Sequence, residues 1–186
     1  MTSNGARVLV VVGTDTHPFD RLTDWLEQWY CAHPGPPDLV VQYGHGRAPG
    51  IPGATPFLDH EALKREMAEA TLVVSHGGPA TILEARRSGH LPIVVPRDPA
   101  HGEHVDDHQQ LFARRLGSVG MVHLCDSVDA LTTALADGLA DPRRFTIAGD
   151  PDAAIGRAAA VARVGSIVEE LISARGRRGL ARRRSG

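Results

Sequence analysis

The chain contains no apolar run that approaches the ~20 residues needed to cross a bilayer, which excludes a membrane-spanning helix. Cysteine is scarce. Cys31 and Cys125 are the only two among 186 residues, with no metal or redox spacing between them. This excludes a disulfide scaffold and reads as two buried or idle thiols in a reducing compartment. Net charge of one sign is also missing: the formal value is −2, too small for the whole molecule to draw in nucleic acid. The Walker pattern and the Gly-x-Gly-x-x-Gly fingerprint are both absent, which argues against an ATPase and a dinucleotide dehydrogenase. The first residues lead directly into a strand-like run, so no signal peptide is expected and the chain is placed in the cytoplasm.

What is present is a composition of 42% apolar and 23% charged residues, which suits one globular domain with its own core. Arg7 to Val12 is a continuous, largely β-branched run, the pattern of a strand buried on both faces. Leu22, Trp25, Leu26 and Trp29 then recur at helical spacing between Phe19 and Ala32, and His33-Pro34-Gly35-Pro36-Pro37 stops that helix. Further strands are predicted over Leu39–Tyr43, Thr55–Leu58, Leu72–Ser75, Leu91–Val95 and Met121–Leu124. Helices are predicted over His60–Ala70, Pro79–Ser88 and Glu103–Leu116, and from an N-cap at Ser127 to Asp137. Gly44 to Gly53 reads as a loop. A last helix is expected over Asp152–Ser173, followed by six arginines between Arg175 and Arg184.

Strict alternation of strand and helix implies an α/β fold: a single Rossmann-like domain with a parallel sheet flanked by helices. The expected division is a domain over 1–150, a C-terminal helix over 151–174 that either packs on the core or docks a partner, and a disordered arginine-rich tail over 175–186 that either solubilises the chain or lies against a membrane face.

Ligands of such sheets bind beyond the carboxyl ends of the strands, near a switch in strand order. Two strand ends carry suitable chemistry. Gly13-Thr14 offers close backbone approach and a hydroxyl, though the pair is equally a plain strand-to-helix turn. Ser75-His76-Gly77-Gly78-Pro79-Ala80-Thr81 is more specific. Pro79 fits the first helical position, and the free N–H groups of that helix start form an anion site. His76 and Thr81 can donate to phosphate oxygens. Glu84, one turn beyond Thr81, can accept from a ribose diol. The plainer readings are a capping residue for His76 and a solvated one for Glu84.

The segment from Pro96 to Gln110 is very polar. His104 and His108 stand four apart on the predicted helix. With Asp107 they form either a divalent-metal set or part of a hydrogen-bonding group for a polyhydroxylated ligand. The density of imidazole, amide and carboxylate groups favours the ligand.

His76-x-Gly78-x-x-Thr81-x-x-Glu84, then Gly89 and Pro92, then His108-Gln109 resemble, in order, the signature of UDP-sugar transferases. With Gly13-Thr14 and Phe57-Leu58, the resemblance is to the family 28 C-terminal domain, the donor-binding half of a GT-B glycosyltransferase. It spans roughly residues 7 to 140. The departures are Pro79-Ala80, where relatives often carry other small or aromatic residues, and His108, where many carry Asp or Gln. They leave the donor sugar open.

The resemblance implies that Phe57 and Leu58 flank the uracil. Gly13, Thr14, His76, Gly77, Gly78 and Thr81 would hold the diphosphate, Glu84 the ribose, and His108 and Gln109 the donor sugar. It implies inverting transfer from a UDP-sugar to a hydroxyl, with no metal and no cofactor, His76 helping to stabilise the leaving diphosphate. A complete GT-B enzyme has two such domains and this chain has room for one. It therefore resembles the small soluble subunit of a split enzyme, whose membrane-anchored partner holds a lipid-linked or glycan acceptor. The general base is expected on that partner, with His17 the one candidate on this chain. The alternatives are a non-catalytic nucleotide-sugar-binding subunit and a metal-dependent hydrolase built on His104, Asp107 and His108.

Overall fold

A computed structural model describes residues 5–147 and positions 162, 165 and 166. Those three positions are helical. The rest of the expected C-terminal helix and the arginine-rich tail lie outside the described residues.

Five strands form one parallel sheet: β1 (Arg7–Val11), β2 (Asp38–Gln42), β3 (Leu72–Ser75), β4 (Ile93–Val94) and β5 (His123–Leu124). Their order is β2-β1-β3-β4-β5. The helices between them are α1 (Asp20–Ala32), α2 (His60–Glu69), α3 (Pro79–Arg87), α4 (His108–Ser118) and α5 (Val128–Ala140). The expected α/β sheet with flanking helices is the architecture found.

Side chains alternate across each strand, so two apolar layers form. Val8, Val10, Leu72, Val74 and Ile93 meet Leu22 and Leu26 of α1 and Leu131 and Leu135 of α5. On the opposite face, Leu9, Val11 and Val73 meet Met67 of α2 and Ala85 of α3. Ile82 of α3 and Phe112 and Leu116 of α4 cover Val94 there. Burial on both faces explains why β1 and β3 are continuous apolar runs.

The chain runs from β1 to β2 on one side, then crosses to β3 on the other. The switch in strand order therefore falls between β1 and β3, whose last residues, Val11 and Ser75, are register partners.

Two expectations are corrected. Thr55–Leu58 is no strand, and the sheet has five rather than six. Only Thr55 bridges to Gln42, because Pro56 has no N–H to continue the ladder. The helix expected from Glu103 begins at His108 instead, after a short 3₁₀ turn at Pro99–His101. Glu103 is committed elsewhere: its carboxylate accepts from Arg21 Nε (2.8 Å) and Asp98 N–H (2.8 Å), and its carbonyl from Arg97 Nη1 (3.0 Å). Ser127 caps α5 as expected, accepting from Ala130 N–H. Cys31 is exposed and Cys125 buried. Burial pushes the Cys125 thiol up to about 12, so it stays protonated and inert.

α5 approaches the sheet through Gly138, where a methyl group would lie 2.7 Å from Leu72 Cδ2 and 2.9 Å from Phe145 Cδ2. Helix propensity favours Gly138→Ala by about 1 kcal/mol. Overpacking costs about 1–3 kcal/mol and acts here on two buried side chains. Urea denaturation should show a net loss of stability in Gly138→Ala.

Candidate functional site at the strand switch

β1 ends in Gly13-Thr14 and β3 in His76-Gly77-Gly78, side by side at the switch. Gly13 has φ +82°, a conformation that favours glycine. Its turn is fastened by Gln42, the last residue of β2. The Gln42 amide donates to Gly13 O (2.8 Å) and Pro56 O (3.2 Å) and accepts from Gly13 N–H (3.3 Å). Gln42 was not singled out from the sequence. The one signal was an amide closing an otherwise apolar strand, and here it is buried.

The His76 ring packs between the two turns. A methyl group on Gly13 would lie 2.7 Å from its Nε2, and one on Gly78 2.4 Å. Only glycine on both sides leaves room for the imidazole. Nδ1 lies 3.2 Å from Val11 O. A carbonyl only accepts, so Nδ1 carries the proton and Nε2 keeps a lone pair. Burial, with the Arg97 guanidinium beyond it, outweighs the Val11 hydrogen bond and pushes this imidazole down to about 4. His76 is thus a neutral acceptor in the free protein. Its expected donation to phosphate requires a second proton.

α3 starts at this point. Gly78 is its N-cap, with no side-chain cap, and Pro79 opens the first turn. The N–H groups of Ala80 and Thr81 therefore have no helical partner, and the positive end of the helix dipole points outward there.

A crevice of about 240 Å³ lies against this end. Gly13, Thr14, Leu58, His76, Gly78 and Thr81 of the expected site line it, with Gln42, Val11, Leu63, Pro79 and Ala80. Gly77, Phe57, Glu84, His108, Gln109 and His17 do not. Phe57 is exposed beside it, its ring edge-on to His45 at 5.1 Å. Glu84 lies one turn further along α3, with a 3.5 Å contact to Arg87.

The polar segment after β4 is organised by acids rather than by helical spacing. His108 Nδ1 lies 2.8 Å and His104 Nδ1 3.9 Å from Asp106 Oδ1. Burial of Asp106 is outweighed by the His108 N–H and ring, and its carboxyl sits below the usual range. His104 precedes α4, so the pair does not share a helix face. Among the described residues no three histidines, cysteines or acids are gathered as a metal-ligand set. The set proposed from His104, Asp107 and His108 loses its geometric basis.

A parallel sheet of this order, with a glycine-walled crevice and an open helix start at its switch point, defines a Rossmann-like domain. Residues 50–162 match the glycosyltransferase family 28 C-terminal domain, and the chain belongs to that family. It is 29% identical over 123 residues to the UDP-N-acetylglucosamine transferase subunit ALG13 of Yarrowia lipolytica, covering 61% of this chain and 59% of that protein. It is 35% identical over 133 residues to the UDP-N-acetylglucosamine--N-acetylmuramyl-(pentapeptide) pyrophosphoryl-undecaprenol N-acetylglucosamine transferase of Halorhodospira halophila, covering 68% of this chain and 35% of that one. The match thus spans 59% and 35% of these relatives' lengths. In fold it resembles MurG of Acinetobacter baumannii, with TM-score 0.57 and 20% identity over 78% of this chain and 44% of that one. It also resembles the glycotransferase of kitacinnamycin, with TM-score 0.55 and 21% identity over 77% and 37%.

The buried neutral His76 makes stability depend on pH. In the unfolded chain the imidazole takes a proton near 6.5, whereas in the folded chain it waits until about 4. The unfolded state therefore binds more protons across that window, and stability falls as pH drops through it. Between pH 7 and pH 5 this group should cost about 2 kcal/mol. Urea denaturation should show that increment in the wild type and lack it in His76→Asn.

Proposed function

We propose that this chain is the donor-binding subunit of an inverting glycosyltransferase that takes a sugar from a UDP-sugar. The observation that carries this reading is the uncapped start of α3 opening into the crevice at the β1–β3 switch. Backbone N–H groups and the helix dipole there complement a diphosphate without a metal. Gly13 and Thr14 approach the same anion from β1. The uracil lies toward Leu58 and Phe57, the ribose hydroxyls toward Glu84, and the sugar toward His108 and Gln109. Gly77 shapes the turn behind the crevice. Both curated relatives are named as N-acetylglucosamine transferases, which supports UDP-N-acetylglucosamine as the donor.

In the reaction an acceptor hydroxyl attacks the anomeric carbon from the face opposite the diphosphate, and the bond to the diphosphate oxygen breaks. Charge then builds on the departing UDP, where the N–H groups of Ala80 and Thr81 already point. Such preorganised donors act most strongly where charge develops. A phosphate also supplies the anion that makes a second proton on His76 favourable, turning Nε2 into a donor.

One relative is named as a subunit. That supports a second, membrane-associated subunit that holds a lipid-linked or glycan acceptor, with this chain on the cytoplasmic side. Among the described residues no helix is long and apolar enough to cross a membrane.

Calorimetry tests this reading directly. The full chain should bind UDP, with the affinity unchanged by EDTA. Glu84→Ala should weaken binding by about 1–3 kcal/mol, the value of a hydrogen bond to a charged acceptor. Absence of UDP binding would remove the donor reading. Binding that disappears with EDTA and returns with one divalent ion would replace the metal-free diphosphate site.

A further inference from the structure

The β1–β2 ladder ends where the crevice begins. Gln42 is the register partner of Val11, and Val12 N–H donates to its carbonyl (3.2 Å). The chain later returns alongside β2: Thr55 N–H donates to Val41 O (2.9 Å) and Tyr43 N–H to Thr55 O (3.0 Å). Pro56 then has no N–H to give, and β1 has already ended at Val11. At this level a side chain takes over from the ladder.

That side chain is Gln42. Nε2 donates to Gly13 O on one side (2.8 Å) and to Pro56 O on the other (3.2 Å), while Oε1 accepts from Gly13 N–H (3.3 Å). Turning the amide over would set its oxygen against two carbonyl oxygens, so the orientation is fixed. Both amide hydrogens are thereby committed. Gln42 is 3% exposed and lines the crevice, yet it keeps no donor for a ligand. It acts through the two segments it joins. An outer link, from His45 to Asp15 O (3.0 Å) and to the edge of the Phe57 ring, is exposed.

The two segments are the two ends of the crevice. Gly13 and Thr14 stand beside the α3 start, with the His76 ring against Gly13. Pro56 leads into Phe57 and Leu58, and Thr55 Oγ1 holds the turn there by donating to Phe57 O (3.2 Å). A ligand that touches both ends gains from the second contact only if its span matches their separation. Fixing that separation beforehand also spares the cost of ordering the segments on binding.

We propose that Gln42 is a positioning residue that sets this separation, so that the crevice selects a nucleoside diphosphate over inorganic diphosphate. This rests on the donor reading above, with the anion at the α3 start and the base toward Leu58.

Calorimetry on the full chain with UDP and with inorganic pyrophosphate tests it. Gln42→Met keeps the length of the side chain and removes all three hydrogen bonds. It should weaken UDP about 10–100-fold, the range of a lost buried hydrogen bond, while pyrophosphate stays within about threefold. A merely structural loss lowers both ligands alike. A second measurement needs no variant to fold. In the wild type the Gln42 side-chain amide protons should exchange with solvent more slowly at saturating UDP than at saturating pyrophosphate, because only UDP loads both ends.

Equal losses for the two ligands in Gln42→Met overturn the proposal, as does an unchanged UDP affinity or equal exchange under the two ligands. So does a wild type that binds UDP but no pyrophosphate, because the anion end then does not act on its own. A wild type that binds no UDP fails earlier, at the donor reading itself.

Discussion

Two backbone turns close on one imidazole at the carboxyl edge of this sheet, and the geometry of the site depends on that contact. His76 fits between Gly13 and Gly78 because neither has a side chain. A single methyl group on either would fall inside van der Waals contact with the ring. The ring in turn ties β3 to Val11 of β1 through Nδ1. The two strands that flank the switch are thereby locked in register at the level where α3 begins. Gln42 completes the lock from β2, so three strands position one crevice. The crevice keeps the free backbone donors of the α3 start at its rim, an arrangement that suits an oxyanion.

Arg97 plays the corresponding part on the other side of the β1 turn. A buried guanidinium without hydrogen bonds would be very costly. Here main-chain carbonyls take up its two terminal nitrogens, Nε alone has no partner among the described residues, and its aromatic neighbour Phe19 lies 4.9 Å away. Arg21 and Glu103 add an ion pair at 2.8 Å beside it. These contacts hold the segment after β4 away from helical geometry and bring His104 toward Asp15. The cation's field also reaches His76 and Asp15 in opposite senses, disfavouring a proton on the first and favouring charge on the second. The His76 wall of the crevice and the turn at Asp15 therefore share one electrostatic support.

Much of this was legible in the sequence, and the reasons are local. β1 and β3 are apolar runs because both faces are covered, and Pro79 marks the first turn of α3 because it needs no N–H. The crevice-lining Gly13, Thr14, Leu58, His76, Gly78 and Thr81 follow from those signals together with the family resemblance. What stayed hidden depended on contacts between segments distant in sequence. Nothing local in Glu103 shows that Arg21 and Arg97 take its carboxylate and carbonyl, so a helix seemed to start there. Nothing local in Pro96-Arg97-Asp98 marks Arg97 as buried. The Gln42 amide and the Asp15–His17 contact are likewise consequences of how turns pack. Thr55–Leu58 misled because its residue types suit a strand while Pro56 denies it a ladder.

The central claim is that a nucleoside diphosphate lies against the start of α3 at the β1–β3 switch. The most direct measurement is a titration of the isotopically labelled full chain with UDP, followed by backbone amide shifts. The account predicts that the largest changes fall on Gly13, Thr14, Gly78, Ala80 and Thr81 and saturate together. Largest changes at the opposite end of the sheet, in the groove around Gly5, Arg7 and Asp38, or no changes at saturating UDP, would contradict it.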